Sequence, residues 1–177
     1  MEKVVLVDQN DQAIGLMDKM EAHLNPQLHR AFSIFIFNAQ GKLLLQQRAL
    51  SKYHSPGLWT NTCCSHPRDK ESLSEATKRR LSEEMGMACD MHEAFSFIYK
   101  SNVGQGLTEY EFDHVWIGES DLKPKPNSEE VKSYKYMSIS EISKDMKQNP
   151  ENYTVWFRIS FDRVQDYFHK HIQYVKE

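Results

Sequence analysis

The sequence predicts one mixed α/β domain over residues 1–177, of the α+β kind, built from paired strands with capped helices added between and after them. Residues Ala31-Phe32-Ser33-Ile34-Phe35-Ile36-Phe37 are apolar on both faces of an extended chain, and the turn Asn38-Ala39-Gln40-Gly41 joins them to Lys42–Arg48, which reads as a central hairpin. Ser72 with Glu75, and Ser138 with Glu141, have the spacing of helix capping boxes. From Val155 to Ile172, the residues Phe157, Phe161, Val164, Phe168 and Ile172 recur at helical spacing and give a closing amphipathic helix.

The remaining elements follow in order. Val4–Val7 and Ala13–Met17 flank the polar turn Asp8 to Gln12 as an opening hairpin. Asp18 to Ala22 makes a short helical turn leading into His23, and Pro26 stops it before His29, so two histidines flank a loop. Ala49 to Gly57 is a polar connection. The helix after Ser72 carries the stripe Leu73, Ala76, Thr77, Leu81 and Met85, shows Lys78, Arg79, Ser82 and Glu83 on its other face, and stops at Gly86. Phe95–Lys100 and Thr108–Gly118 read as strands around a loop Ser101 to Gly106, and Val131–Met137 as a further strand. The helix capped by Ser138 ends before Asn149-Pro150.

Composition narrows the function. With 22 basic and 25 acidic residues the net charge is -3, which opposes binding to nucleic acid or to an anionic membrane and requires any anion to be met locally. The longest apolar runs are too short to cross a bilayer, and the tail Tyr174-Val175-Lys176-Glu177 has no lipidation or sorting signal. Three cysteines cannot all pair, and no export leader precedes them, so the expected thiols are reduced and the expected location is cytoplasmic.

The chemistry concentrates in Leu58–Pro67. Side chains alternate along an extended chain, so Cys64 and His66 share one face while Cys63 and Ser65 take the other. Cys63 by itself reads as a small core hydrophobe. In Thr108-Glu109-Tyr110-Glu111-Phe112, the two carboxylates share a face opposite Tyr110. Apposed carboxylates need either solvent, as the wet face of an edge strand, or a cation. Three imidazoles, His23, His29 and His66, favour the cation, because a mixed nitrogen and oxygen set suits a divalent ion. His54, His92, His114, His169 and His171 have no such companions and read as surface or structural residues.

Arg79-Arg80-Leu81-Ser82-Glu83-Glu84-Met85-Gly86-Met87, with Glu71 upstream, resembles the Nudix box, a loop-helix-loop that binds metal and diphosphate. Two departures stand out: Ser65 where the box begins with Gly, and Arg80 where it has Glu. A guanidinium in place of a carboxylate removes a metal ligand and adds a forked donor suited to phosphate oxygens.

Joined to Arg48-Ala49-Leu50-Ser51-Lys52, Pro56–Asn61, Cys64-Ser65-His66-Pro67, Tyr99, the Glu109/Glu111 pair and Trp156, this altered box resembles the type I isopentenyl-diphosphate isomerase family over nearly the whole chain. The resemblance implies a Nudix-like sandwich with a mixed central sheet flanked by helices. It implies a divalent metal (Mn, Mg or Zn) on His23, His29, His66, Glu109 and Glu111, with Cys64 and Glu111 as acid and base beside Tyr99 and Trp156. A small diphosphate would be the partner, contacting Lys19, Arg48, Lys52 and Arg80, with magnesium bridging it to Glu84. The expected assembly is a monomer or weak homodimer.

Moving an unactivated double bond through a tertiary carbocation needs an acid and a base on opposite sides of a flat substrate. Cys64 and Glu111 come from different strands and so can sandwich one. On periodicity alone, Trp156 reads as helix core as readily as a π face for a cation. Two other functions compete. A Nudix diphosphohydrolase is favoured by Glu83-Glu84 and opposed by Arg80 and Ser65. A binding module would instead use the histidines as a closed structural site.

Overall fold

The structure is a computed structural model that describes residues 2–172; the tail Tyr174 to Glu177, in which no sorting signal was expected, lies outside the described residues. Among the described residues, nine strands and four α-helices follow in the order β1 (Lys3–Val7), β2 (Ala13–Asp18), α1 (Lys19–Leu24), β3 (His29–Phe37), β4 (Lys42–Arg48), β5 (Trp59–Thr60), β6 (Cys63–Ser65), α2 (Leu73–Met85), β7 (Met91–Gly104), β8 (Leu107–Glu119), β9 (Val131–Ser138), α3 (Ile139–Gln148) and α4 (Val155–Tyr167). No helix among the described residues is long and apolar enough to cross a membrane.

The sheet is mixed, as expected, and β3 is its axis. Along one edge β3 runs parallel to β8 from His29 opposite Glu111 to Phe37 opposite Glu119. Its other edge is shared among three antiparallel partners: β1 at His29, β6 at Phe32–Ile34, and β4 at Phe37 alone. Strand β7 completes the β8 side, β2 pairs with β1, and β9 and β5 pair with β4.

The expected central hairpin is formed only at its turn, where the Asn38 N–H donates to the Lys42 carbonyl at 2.9 Å and Phe37 pairs with Leu43; beyond that β3 and β4 splay apart. The reason is Thr62, which wedges between them. Its N–H donates to the Ile34 carbonyl (3.1 Å), its hydroxyl donates to the Leu44 carbonyl (2.7 Å), and the same hydroxyl accepts from the Ile36 N–H (2.9 Å). Gln46 Nε2 donates to the Thr62 carbonyl at 2.8 Å, and Asn61 Nδ2 donates to the carbonyls of Ile34 and Cys63. Backbone groups that a hairpin would have paired are met by this segment instead, which satisfies them in the interior. The wedge is what seats Cys64 against the middle of β3.

Because side chains alternate on β3, two cores form on its two faces. Phe35 and Phe37 join Val115, Ile117, Phe157, Phe161 and Val164 beneath α3 and α4, while Phe32, Ile34 and Ile36 join Cys63, Ala76, Leu81, Met85 and Trp116 beneath α2. Both expected capping boxes are complete, and Gly86 closes α2 at φ 60, the left-handed conformation that glycine adopts without strain. Boundaries differ from expectation in the last helix and at both ends of β7, which begins at Met91 instead of Phe95. Ser101–Gly104 continues β7 instead of forming a loop, leaving Gln105-Gly106 as the turn. The last helix widens into a π turn at Phe168–Ile172, where Phe168 packs 4.8 Å from Phe37.

Candidate active site

The site lies on the α4 face of β3 and β8. Odd-numbered residues of β8 point there, so Glu109, Glu111 and Asp113 continue the row of Val115 and Ile117 and are all buried. Helix α1 adds Lys19 and His23, β3 adds His29, β4 adds Arg48, and β6 with its continuation adds Cys64 and His66. Trp156 is aimed inward because the start of α4 is tied to β5, with the Thr154 N–H on the Trp59 carbonyl (3.0 Å) and the Thr154 hydroxyl on that of Thr60 (2.9 Å). Of these residues, Lys19, Arg48, Cys64, His66, Glu109, Glu111 and Trp156 line one cleft. Lys19, Lys52, His66 and Arg80 also line an adjoining cavity with Lys3, Arg68 and Arg79, so the cleft opens onto a basic rim.

Beside the cleft, His23, His29, His66 and Glu111 bring one ligand atom each within 4.8 Å of one another, all four buried, and two of them, His66 and Glu111, also line the cleft. His29 Nδ1 faces the Gln27 carbonyl at 2.8 Å and so donates there, which turns Nε2 toward the cluster. Its Nε2 lies 3.6 Å from Glu111 Oε1. His29 Nε2, both nitrogens of His23, and His66 Nδ1 are buried without any hydrogen-bond partner. Buried polar atoms are ordinarily satisfied, and a cluster of unshared imidazole and carboxylate lone pairs suits a divalent cation. The residues fit such an ion. Glu109 stands beside this group of four: its Oε2 accepts from the Tyr99 hydroxyl at 2.6 Å and its Oε1 lies 3.4 Å from His54 Nε2.

Burial sets the protonation states. It pushes the Cys64 thiol far above its ordinary range, and nearby Glu84, Glu109 and Glu111 act in the same direction against Arg48, so the thiol keeps its proton. Burial opposes ionisation of Glu111 too, but His29 and His66 outweigh it and hold this carboxyl well below the usual carboxylate range. His23 is pushed down to about 4 by burial and by its neighbours His66 and His29.

The expected diphosphate contacts converge on the rim, where three of the four are already engaged with carboxylates. Lys19 pairs with Glu2 at 3.2 Å, Lys52 with Glu130, and Arg80 with Glu84 and with Glu83 at 2.7 Å. Arg48 differs: it donates to the His54 carbonyl at 3.1 Å and lies 5.2 Å from the Trp156 ring centroid. Glu84 also accepts from Gln46 at 2.9 Å. Arg79 forms its i,i+4 pair with Glu83 at 3.3 Å, but its shorter contacts are to Glu71, at 2.6 and 2.8 Å. It thereby ties the box helix to the loop before it.

Residues 27–157 match the NUDIX domain family. An isopentenyl-diphosphate Delta-isomerase of Pectobacterium atrosepticum is 49% identical over 168 residues, covering 95% of this chain and 94% of that one. Another of the same name, from Serratia proteamaculans, is 51% identical over 156 residues, covering 88% and 87%. The chain belongs to the isopentenyl-diphosphate Delta-isomerase family. In fold it is also similar to the crystal structure of DR0079 from Deinococcus radiodurans, with a TM-score of 0.75 at 19% identity over 92% of this chain and 98% of that one.

Two buried polar residues on or beside this isomerase-family cleft escaped the sequence reading. His54, read there as surface or structural, is buried and lines the cleft beside Trp156. Asp113 extends the Glu109/Glu111 row by one more alternation, a signal present in the sequence, and accepts from the Ser33 hydroxyl at 2.8 Å. His114 is structural as read, bridging Asp11 at 3.0 Å and Glu93 at 2.6 Å.

Asp113 gives a pH prediction for the metal-free protein. Burial, and then the Glu111 charge, push its carboxyl up to about 8, against 3.8 for the free group. Between those values the folded state holds a proton that the unfolded chain has released, so stability falls as pH rises. The tilt is about 1.4 kcal/mol per pH unit from about pH 5 to about pH 8. His23 tilts the balance the opposite way below 6.5, so the readout is the difference between the wild type and Asp113→Asn in denaturant titrations at several pH values. Parallel profiles for the two proteins would show that Asp113 is ionised in the fold.

Proposed function

We propose that Cys64 and Glu111 are the acid/base pair with which this chain interconverts isopentenyl and dimethylallyl diphosphate. The observation that carries this is the contrast between two groups lining one cleft: a half-buried thiol held protonated and a buried carboxyl held ionised, on different strands. Such a pair supplies a proton at one end of an allylic system and accepts one at the other. In that direction the Cys64 S–H proton adds to the terminal alkene carbon, the π electrons forming the new C–H bond and leaving a tertiary cation. Glu111 then takes a proton from the carbon next to the cation, and the electrons of that C–H bond become the new double bond. One proton enters and one leaves, so the substrate keeps its formula and its diphosphate. Exchange with solvent resets the thiolate and the carboxylic acid.

The other residues are assigned around this pair. Trp156 offers the cation a π face worth up to ~2 kcal/mol once desolvated, and Tyr99 donates to the carboxylates. Lys19, Arg48, Lys52 and Arg80 receive the diphosphate by exchanging their present partners for phosphate oxygens. His23, His29, His66, Glu109 and Glu111 would hold the divalent ion, and Glu84 would meet the magnesium that accompanies the diphosphate. The ion would neutralise the crowded carboxylates and fix the orientation of Glu111. A thiol acid must stay reduced, which supports a cytoplasmic location, and all three cysteines are free.

The test is the fate of solvent hydrogen. In deuterated water the product gains deuterium on a carbon that carried none, because the thiol proton exchanges with solvent before it is transferred to carbon. Hydrolysis by a Nudix diphosphohydrolase labels no carbon and releases phosphate or a monophosphate. Phosphate release from isopentenyl diphosphate without carbon-bound deuterium would overturn the isomerase assignment.

A further inference from the structure

Tyr99 has one proton and two carboxylates to serve. Its hydroxyl oxygen lies 2.6 Å from Glu109 Oε2 and 2.6 Å from Glu111 Oε2, and a phenol donates one hydrogen bond at a time. Glu111 is met on its other oxygen by His66 Nε2 at 3.0 Å. The other oxygen of Glu109 faces His54 Nε2, 3.4 Å away, which no role described so far employs.

His54 lies on no regular element, and the loop between β4 and β5 is bent to bring it inward. Ser55, the next residue, has φ 48, in the left-handed region, at a cost on the order of 1 kcal/mol for a residue with a Cβ. The Arg48 guanidinium holds the His54 carbonyl, and the imidazole is 6% exposed, edge-on to Tyr53 at 4.5 Å and to Trp156 at 5.7 Å. Of its nitrogens, Nδ1 is buried with no partner while Nε2 faces a carboxylate. The neutral tautomer with its proton on Nε2 is the one these surroundings satisfy.

The geometry points to His54 as a positioning residue of the isomerisation: its Nε2–H holds Glu109 through Oε1, which leaves the single Tyr99 proton to Glu111. This rests on the assignment of Glu111 as the proton acceptor. Without His54, the two carboxylates would compete for one phenol proton once a bound cation keeps both ionised. Glu109 then claims it part of the time, and both lose orientation toward substrate and metal. Partners of ligating carboxylates at this remove are worth roughly 10–100-fold in activity or metal affinity.

Two variants separate positioning from packing: His54→Gln, which keeps an N–H donor, and His54→Leu, which fills the space without one. Each is assayed for kcat and KM with isopentenyl diphosphate, for Mn2+ affinity of the purified protein, and for melting temperature. The leucine variant is expected to lose roughly 10–100-fold in kcat and about tenfold in Mn2+ affinity, with KM within about twofold of wild type. Glutamine should restore most of both losses. In a Tyr99→Phe background His54→Leu should cost little more kcat, because no phenol proton remains to be redistributed. Wild-type kcat and Mn2+ affinity in the leucine variant would overturn the proposal. So would equal losses in both variants that track a lowered melting temperature. If the unaltered protein fails to isomerise, the assignment of Glu111 falls, while the Mn2+ comparison still decides whether His54 holds Glu109.

Discussion

Cys64→Ala is expected to reduce isomerisation by roughly 10²–10⁴-fold, the usual contribution of a placed general acid, while Cys63→Ala leaves turnover within a few-fold of wild type. The two cysteines are neighbours in β6, yet they serve opposite faces of the sheet. Cys63 is fully buried among Phe32, Ile34, Ala76 and Leu81 under α2, and Cys64 lines the cleft. Removing the Cys63 sulfur deletes one buried heavy atom and leaves a small void, at a cost of about 1 kcal/mol. The phenotypes therefore cross: Cys64→Ala keeps stability and loses rate, and Cys63→Ala does the reverse. Steady-state rates and denaturant midpoints of both variants decide it. Equal loss of rate in the two would mean that the thiol of Cys64 is not the proton donor, and that the strand serves the site only through its packing.

Much of this architecture was legible because it is local. A capping box is complete within four residues, so Ser72 with Glu75 and Ser138 with Glu141 located two helix starts. Alternation along β6 and β8 placed Cys64 on the cleft face away from Cys63, and Glu109 on the same face as Glu111. What could not be read depended on distant partners. Nothing between residues 31 and 48 announces that Thr62 will take the hydrogen bonds of the β3–β4 hairpin, since its own place is set by β6 and Gln46. His54 sits in a loop without periodicity, and its partners Glu109 and Trp156 lie far along the chain. Asp113 was readable by one more step of the alternation that yielded Glu109 and Glu111.

His66→Ala is expected to abolish stoichiometric binding of a divalent ion and with it nearly all turnover. His66 touches both halves of the proposed centre, because Nε2 lies 3.0 Å from Glu111 Oε1 and the ring centroid lies 5.0 Å from that of His29. Its loss leaves Glu111 with a longer 3.6 Å contact to His29 and opens a gap beside His23. Two imidazoles and a carboxylate then remain from the tight group of four, and each lost ligand weakens a divalent site steeply. Proton competition gives an independent signature in the wild type. Ligation needs neutral imidazoles, and burial lowers both His23, to about 4, and His66, so proton competition at these two ligands should set in below the ordinary range of the imidazole. An exposed histidine cluster would instead lose the ion around its ordinary 6.5. Metal content of purified wild type and variant, with Mn2+ titrations between about pH 7.5 and pH 4.5, measures both effects; one equivalent of ion retained by His66→Ala would remove His66 from the centre.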